Sequence, residues 1–220
     1  MLQNCRPALV AGSTTFFFMA SDQLSLPFQS EENSNSCHEE DFLALAENLV
    51  ARNFLPKIFV QKKFFSAQLP SLILKGAEAS GKTHLLRIFA KKFAAKFLNK
   101  EEIFSVNPVE FFRADHFYIL EDFCEITDEE SLLRLVNSAH EAGAFLLLSM
   151  RELRIFRLKD LSSRLKNIVT VAIENPGSEA VEHLLMNRLA RRQIRPSKRL
   201  IKSILDRIER SYAAVSREIF

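Results

Sequence analysis

From Glu39 onward the apolar positions switch between two periods. Residues 41–52 place Phe42, Leu45, Leu49 and Val50 at helical spacing, which predicts an amphipathic helix. Ser71-Leu72-Ile73-Leu74-Lys75 is a short apolar run bounded by Pro70 and Gly76, the pattern of a strand buried on both faces. His84 to Asn99 predicts a second helix with Leu85, Ile88, Phe89 and Phe93 on one side. Phe117–Leu120 reads as another strand, Ser131–Ala142 as a helix, Ala144–Ser149 as a third strand and Ile168–Ile173 as a fourth. A weaker run, Ile103 to Val106, reads as a fifth. Strands separated by helices predict an α/β fold: a parallel sheet with helices on both faces. After Pro176-Gly177 the strands cease. Residues 178–193 form a basic amphipathic pattern with Val181, Leu184, Leu185 and Leu189 on its apolar side, and 197–207 and 212–219 read as two further helices. The chain therefore predicts a sheet domain with a small all-helical appendage.

Residues 1–38 follow neither period. Arg6 precedes an apolar run ending in Phe16-Phe17-Phe18-Met19-Ala20. A signal peptide is one reading, opposed by the interruption Gly12–Thr15 and by bulky Phe18 where a small residue should precede cleavage. The alternative takes Met19 as the start and residues 1–20 as an extension. Gln29 to Glu39, rich in Ser, Asn and Glu, reads as a flexible linker. Ahead of it, Gln23-Leu24-Ser25-Leu26-Pro27-Phe28 strands three large apolar residues in a polar tail. Such a segment either packs back on the domain or docks into a partner's pocket, with Pro27 lowering the ordering cost.

Composition and charge narrow this picture further. At 220 residues, with 47% hydrophobic and 26% charged side chains, the chain is a globular domain plus an appendage, and disorder of the whole is excluded. Its three cysteines, Cys5, Cys37 and Cys124, share no metal spacing, which speaks against a zinc site and for a reducing compartment. No stretch reaches the ~18 unbroken apolar residues of a membrane span. The net charge of +3 conceals an asymmetry, with residues 151–220 at +8 and residues 1–150 at −5. A basic end is either a solvated helical face or a surface for phosphate or an acidic partner.

The most specific chemistry follows the first strand. Gly76-Ala77-Glu78-Ala79-Ser80-Gly81-Lys82-Thr83 satisfies G-x-x-x-x-G-K-[ST] at every position, with a strand before it and a helix after it. Glycines let backbone N–H groups turn inward as an anion nest, and the following helix points its positive end at the phosphates. Lys82 supplies a point charge for the outer phosphates and Thr83 a hydroxyl for magnesium. Such a site needs acids near the metal, and the strand Phe117–Leu120 ends in Glu121-Asp122. One acid would hold the magnesium shell and the other orient a water. Between the third and fourth strands lies Asp160-Leu161-Ser162-Ser163-Arg164-Leu165. Arg164 is either the ion-pair partner of Asp160, one helical turn earlier, or an arginine finger reaching a phosphate on a neighbouring molecule.

Together these residues resemble the AAA+ family of the bacterial replication initiator DnaA and, within it, the branch of DnaA-homologous regulatory inactivators. Gly76–Thr83 with His84-Leu85-Leu86 is similar to the family's GKTHLL, Glu40-Asp41-Phe42 with Asn48 to the segment that opens its base, Asp160–Leu165 to its Box VII arginine motif, and Glu174-Asn175-Pro176 to the start of its lid. The resemblance covers residues 21–220. It implies a P-loop AAA+ parallel-sheet base domain at 39–175, a small all-helical lid at 176–220, and a flexible N-terminal tail at 21–38. It also implies ADP or ATP with Mg2+, gripped by Gly76, Ala77, Ala79, Ser80, Gly81, Lys82, Thr83 and His84, the metal falling to Thr83, Glu121 and Asp122. The tail resembles a sliding-clamp-binding motif, in which Gln23 would meet the pocket rim, Leu26 and Phe28 would fill its floor, and Leu24 and Pro27 would complete the peptide. The implied partners are DnaA and the DNA polymerase III sliding clamp (its beta subunit), with DNA reached through the clamp, a possible homo-oligomer, no membrane, and a cytoplasmic location. The implied function is negative regulation of initiation: Arg164 is offered in trans to ATP on DnaA, with Asp122 beside the chain's own metal. The rivals are a stand-alone P-loop ATPase of helicase-loader type, a clamp-binding adaptor with a vestigial nucleotide site, and direct DNA binding by the basic lid. Three departures from the family pattern stand out: Glu121-Asp122 in place of Asp-Asp, Ser149-Met150-Arg151 in place of Thr/Ser-Asp-Arg, and Ala213 where the lid arginine falls, which removes one γ-phosphate contact.

Overall fold

In a computed structural model, residues 42–61, 71–99, 111–152 and 154–217 are described. The tail and linker at 1–39, Glu40-Asp41, the weak strand at 103–106 and the chain's last three residues lie outside them. All described residues belong to one compact unit, Asn35–Phe220. The elements run α1 (Ala46–Gln61), β1 (Ser71–Gly76), α2 (Lys82–Phe93), β2 (Lys96–Phe97), β3 (Phe117–Leu120), α3 (Glu129–Glu141), β4 (Phe145–Met150), α4 (Lys159–Lys166), β5 (Val169–Ile173), α5 (Ser178–Arg191), α6 (Lys198–Leu205) and α7 (Tyr212–Arg217).

The five strands form one parallel sheet in the order β2-β3-β4-β1-β5. Successive side chains of a strand point to opposite faces, so each central strand feeds two cores. Leu72, Leu74, Ile119, Leu147 and Val171 face α1 and α2, where they meet Ala51, Leu55, Leu85, Leu86 and Phe89. Ile73, Leu120, Leu146 and Leu148 face α3 and α4, where they meet Leu132, Leu135, Val136, Leu161 and Leu165. This double burial is why β1 and β4 read as continuous apolar runs. A third, smaller core lies among the C-terminal helices, built on Val181, Leu185, Leu189, Ile201 and Val215. Asp128 starts α3 by accepting from the backbone N–H groups of Glu130 and Ser131 and from the Ser131 hydroxyl, bonds that hold its carboxyl below the usual range.

Two expectations from periodicity are corrected. The first helix starts at Ala46, and Leu49 and Val50 are exposed, while Phe42 and Leu45 are buried ahead of the helix. The cause is Asn48. Its Oδ1 accepts from the Leu45 N–H at 3.1 Å and its Nδ2 donates to the Leu43 carbonyl at 2.9 Å, so the side chain takes the place of a helical turn there. The second helix ends at Phe93, where Ala94 turns left-handed at φ 52, and residues 96–97 pair with β3 as an edge strand.

Candidate functional site

Strands β3 and β4 lie on one side of β1 and β5 on the other, so a crevice opens beyond the carboxyl end of β1, the place where open parallel sheets bind ligands. The glycine-rich loop fills that position. A Cβ on Gly76 would come within 2.7 Å of the Ser80 hydroxyl and 3.2 Å of Ile173 Cβ, so any larger residue at the first motif glycine would have to displace both neighbours. Gly81 has φ +90, and Ala79 shares the left-handed region at φ 57. An alanine there is strained, and such strain concentrates where a loop must present its amides to a ligand. Phe42 packs against Gly81 and edge-on to His84, which explains why it is held off the helix.

Lys82 opens α2, with its Nζ donating to the Gly76 and Ala77 carbonyls at 2.8 Å each. The ammonium is folded back onto its own loop. Burial pushes its pKa below the ordinary 10.5, Asp122 partly restores it, and Arg151 lowers it further. Thr83 follows and is exposed. Across the crevice Asp122 sits left-handed at φ 44, its N–H donating to the Ser149 hydroxyl at 3.0 Å. Buried Ser149 at the end of β4 thus positions the acid pair, and neighbouring Met150 is buried in the core. Glu121 Oε1, Asp122 Oδ1 and Ser80 Oγ are buried without a hydrogen-bond partner. Unpartnered buried oxygens are costly, and two adjacent carboxylates are oxygen donors of the kind that suits a hard cation such as Mg2+. Arg151 reaches back to Glu78 in the loop, an exposed ion pair at 3.2 Å.

Beside the loop lies a cleft of about 630 Å³ including its open mouth. Phe42, Leu43, Leu45 and Asn48 line one wall, Ala79–Gly81 and His84 the floor, and Leu184, Asn187, Arg188, Arg191 and Tyr212 the other wall. The two arginines were legible only as part of a basic helix. They share a face with Leu184 at spacings of four and seven, the periodicity that turns them inward together. Arg188 donates to the Ser216 hydroxyl at 2.7 Å, and its pKa is lowered by burial and then by Arg192 and Arg191. Ala213 brings no charge, so the guanidinium groups on this wall come from α5 instead of α7.

The join between sheet and helices is tied on both sides. Glu47 accepts from the Gly177 N–H at 3.0 Å through its carboxylate and from the Glu174 N–H at 3.1 Å through its carbonyl. Tyr212 donates its hydroxyl to the Glu174 carbonyl at 3.1 Å, and burial, Glu47 and Glu174 push its pKa up to about 12. Tyr212→Phe is expected to lower the unfolding free energy by about 1 kcal/mol, measurable by urea denaturation, because one buried hydrogen bond is lost while the ring stays packed.

Arg164 lies on α4 between buried Leu161 and Leu165, and no ion pair joins it to Asp160 among the described residues. It contributes nothing to the cleft walls. Residues 23–28 lie outside the described residues.

Among solved structures the chain is similar to a DNA replication initiation factor, at 15% identity over 82% of this chain and 62% of that one, with a TM-score of 0.63. It is similar to domain III of the Thermotoga maritima replication initiation protein DnaA, at 14% identity over 80% and 82%, TM-score 0.60. It is also similar to AMPPCP-bound DnaA from Aquifex aeolicus, at 18% identity over 82% and 62%, TM-score 0.60. The chain thus spans 62% of the length of the first and third of these proteins. No family model and no curated protein matches the sequence. At such identities the likeness speaks to the fold, which is a DnaA-like AAA+ fold.

Proposed function

We propose that the chain is a nucleotide-binding AAA+ regulator of bacterial replication initiation, of the Hda type. It binds ADP or ATP in the cleft, docks on the sliding clamp through residues 23–28, and offers Arg164 to ATP on a DnaA subunit. One observation carries the nucleotide reading: the glycine loop closes on a buried Lys82 while facing carboxylate oxygens of Glu121 and Asp122 that have no hydrogen-bond partner. Mg2+, held by Thr83, Glu121 and Asp122, would neutralise charge on the phosphate oxygens. Lys82 would exchange its two carbonyl contacts for phosphate oxygens, the loop amides and the start of α2 would take the remaining charge, and Arg188 and Arg191 would face the nucleotide from the other wall. The Aquifex aeolicus DnaA, a protein of the same fold, binds the nucleotide analogue AMPPCP, which supports this reading.

The regulatory half rests on Arg164, which has no acidic partner among the described residues, and on the resemblance of the tail to clamp-binding peptides. The chain's partners would be DnaA and the clamp, with DNA held by the clamp, in the cytoplasm. The decisive experiment measures hydrolysis of DnaA-bound ATP with clamp loaded on DNA, using the full chain and a chain lacking residues 23–28. Stimulation by the first and none by the second is expected; equal stimulation refutes clamp docking. The acid pair Glu121-Asp122 also favours a second reading, a stand-alone ATPase. That reading requires steady turnover by the isolated chain, lost in Lys82→Ala.

A further inference from the structure

Residues 188–205 contain seven cationic side chains and no acid. Two of the seven face the cleft described above. The other five, Arg192, Arg195, Lys198, Arg199 and Lys202, are exposed along the end of α5, the turn that follows it and the outer side of α6. That turn cannot rotate freely to bury its charges. Ser197 caps α6 by accepting from the Leu200 N–H at 3.3 Å, and Ile201 is buried in the small C-terminal core. With Ile201 inward, Lys198 and Lys202 flank it on the solvent side, one turn apart.

This arrangement works against the stability of the chain that carries it. Lys198 and Arg199 occupy the first turn of α6, where no acid is present and where the helix dipole disfavours positive charge. After burial, Arg192 and Arg191 lower the pKa of Arg188, the direction that like charges held close together produce. Arg195, Lys198, Arg199 and Lys202 form no ion pair among the described residues. An ordinary solvated face intersperses both signs; one-sided charge held in a fixed geometry is the footprint of an external polyanion.

We infer that the α5–α6 turn is a binding surface for the phosphate backbone of duplex DNA, independent of base sequence. Nucleic acid suits it better than an acidic protein surface, because a duplex presents a dense row of phosphates to a segment whose charges are all cationic, set around exposed Ile194 and Leu200. A duplex suits it better than a single strand, because no aromatic residue lies between 188 and 211 to stack on unpaired bases. The surface is separate from the nucleotide cleft, since no residue of α6 lines that cleft. The inference therefore goes beyond the proposed function and survives its failure. In the context of a clamp-docked regulator, it would give the chain its own grip on the DNA that threads the clamp.

The test is fluorescence anisotropy of a labelled mixed-sequence 20-base-pair duplex titrated with the full chain across a salt series. Contacts to about four phosphates should weaken binding about 10²-fold between 50 and 200 mM salt. The triple variant Arg195→Glu, Lys198→Glu, Lys202→Glu should lose duplex binding by about 10²-fold or more at 50 mM salt while keeping wild-type nucleotide affinity. Lys198→Ala, a milder change at an exposed site, should reduce the salt slope by about one. The inference is overturned if the duplex does not bind at 50 mM salt, if binding is insensitive to salt, or if the variants bind as wild type does. Tighter binding to a single strand overturns the duplex assignment, and tighter binding to polyglutamate makes the partner an acidic protein.

Discussion

Arg164→Ala is expected to reduce clamp-dependent hydrolysis of DnaA-bound ATP by about 10³-fold, the lower end of what an arginine finger supplies in other phosphoryl transfers. Arg164 is half-buried on α4 between two core leucines, forms no ion pair with Asp160, and stays out of its own chain's cleft. Packing fixes the helix while leaving the guanidinium unspent. A planar cation held on a rigid element costs little reorganisation when it meets charge developing on a phosphoryl group. Removing it should therefore affect the transition state on the partner and not the chain's own stability or nucleotide affinity. Arg164→Lys should recover only a small part of the rate, because an ammonium keeps the charge but loses the two-pronged geometry. Single-turnover release of phosphate from DnaA preloaded with labelled ATP reads this directly. Equal rates for wild type and Arg164→Ala would remove the trans-finger mechanism, and a variant that also melts lower would assign the arginine a structural role.

The parts of the molecule that sequence revealed are those whose cause is local. The glycine motif was readable because Gly76 and Gly81 answer constraints a few residues long, a close approach to Ser80 and a positive φ. The strands were readable because β1 and β4 are buried on both faces along Leu72–Leu74 and Phe145–Leu148, which leaves unbroken apolar runs there. The misreadings arose where a distant or unusual partner decided the outcome. Phe42 and Leu45 lie in phase with the helix that follows, yet Asn48 captures the backbone ahead of it and starts the helix later. Ala94 turns the chain left-handed without the glycine that normally marks such a stop, so the helical pattern continues in the sequence through an edge strand two residues long.

The site itself divides along the same line. Lys82, Thr83, Glu121 and Asp122 are candidates on sequence grounds because each lies in a segment that directly follows a strand. Ser149 could not, because its role depends on β4 lying next to β3, which brings its hydroxyl to the Asp122 N–H. Arg188 and Arg191 were visible as charge but not as part of the cleft. Only the docking of α5 beside the glycine loop, tied by Glu47 and Tyr212, gives them that position.

Lys82→Ala is expected to weaken ADP and ATP binding by about 10–100-fold, the equivalent of one or two charge-assisted hydrogen bonds. Its effect on the free protein should be small by comparison, because two opposing changes accompany it. The Gly76 and Ala77 carbonyls lose their donor, while a buried ammonium with a depressed pKa is no longer desolvated. Thermal unfolding separates these contributions. Nucleotide at 100 times its Kd should stabilise the wild type by about 2.7 kcal/mol, and the same concentration should stabilise the variant by at most about 1.5 kcal/mol. The pH dependence supplies a second signature with two signs. Phosphate binding needs the protonated amine, so wild-type affinity should fall as pH rises through the free-protein pKa of Lys82, which lies below 10.5. Over that same window the unfolded chain binds more protons at this residue than the folded one, so the contribution of Lys82 to stability rises with pH while affinity declines. The variant should show neither trend. Calorimetric titration of ADP across that range, with and without Mg2+, measures the affinity limb. If Lys82→Ala binds nucleotide as tightly as wild type, the glycine loop is not the phosphate site, and the cleft beside it must be assigned to another ligand.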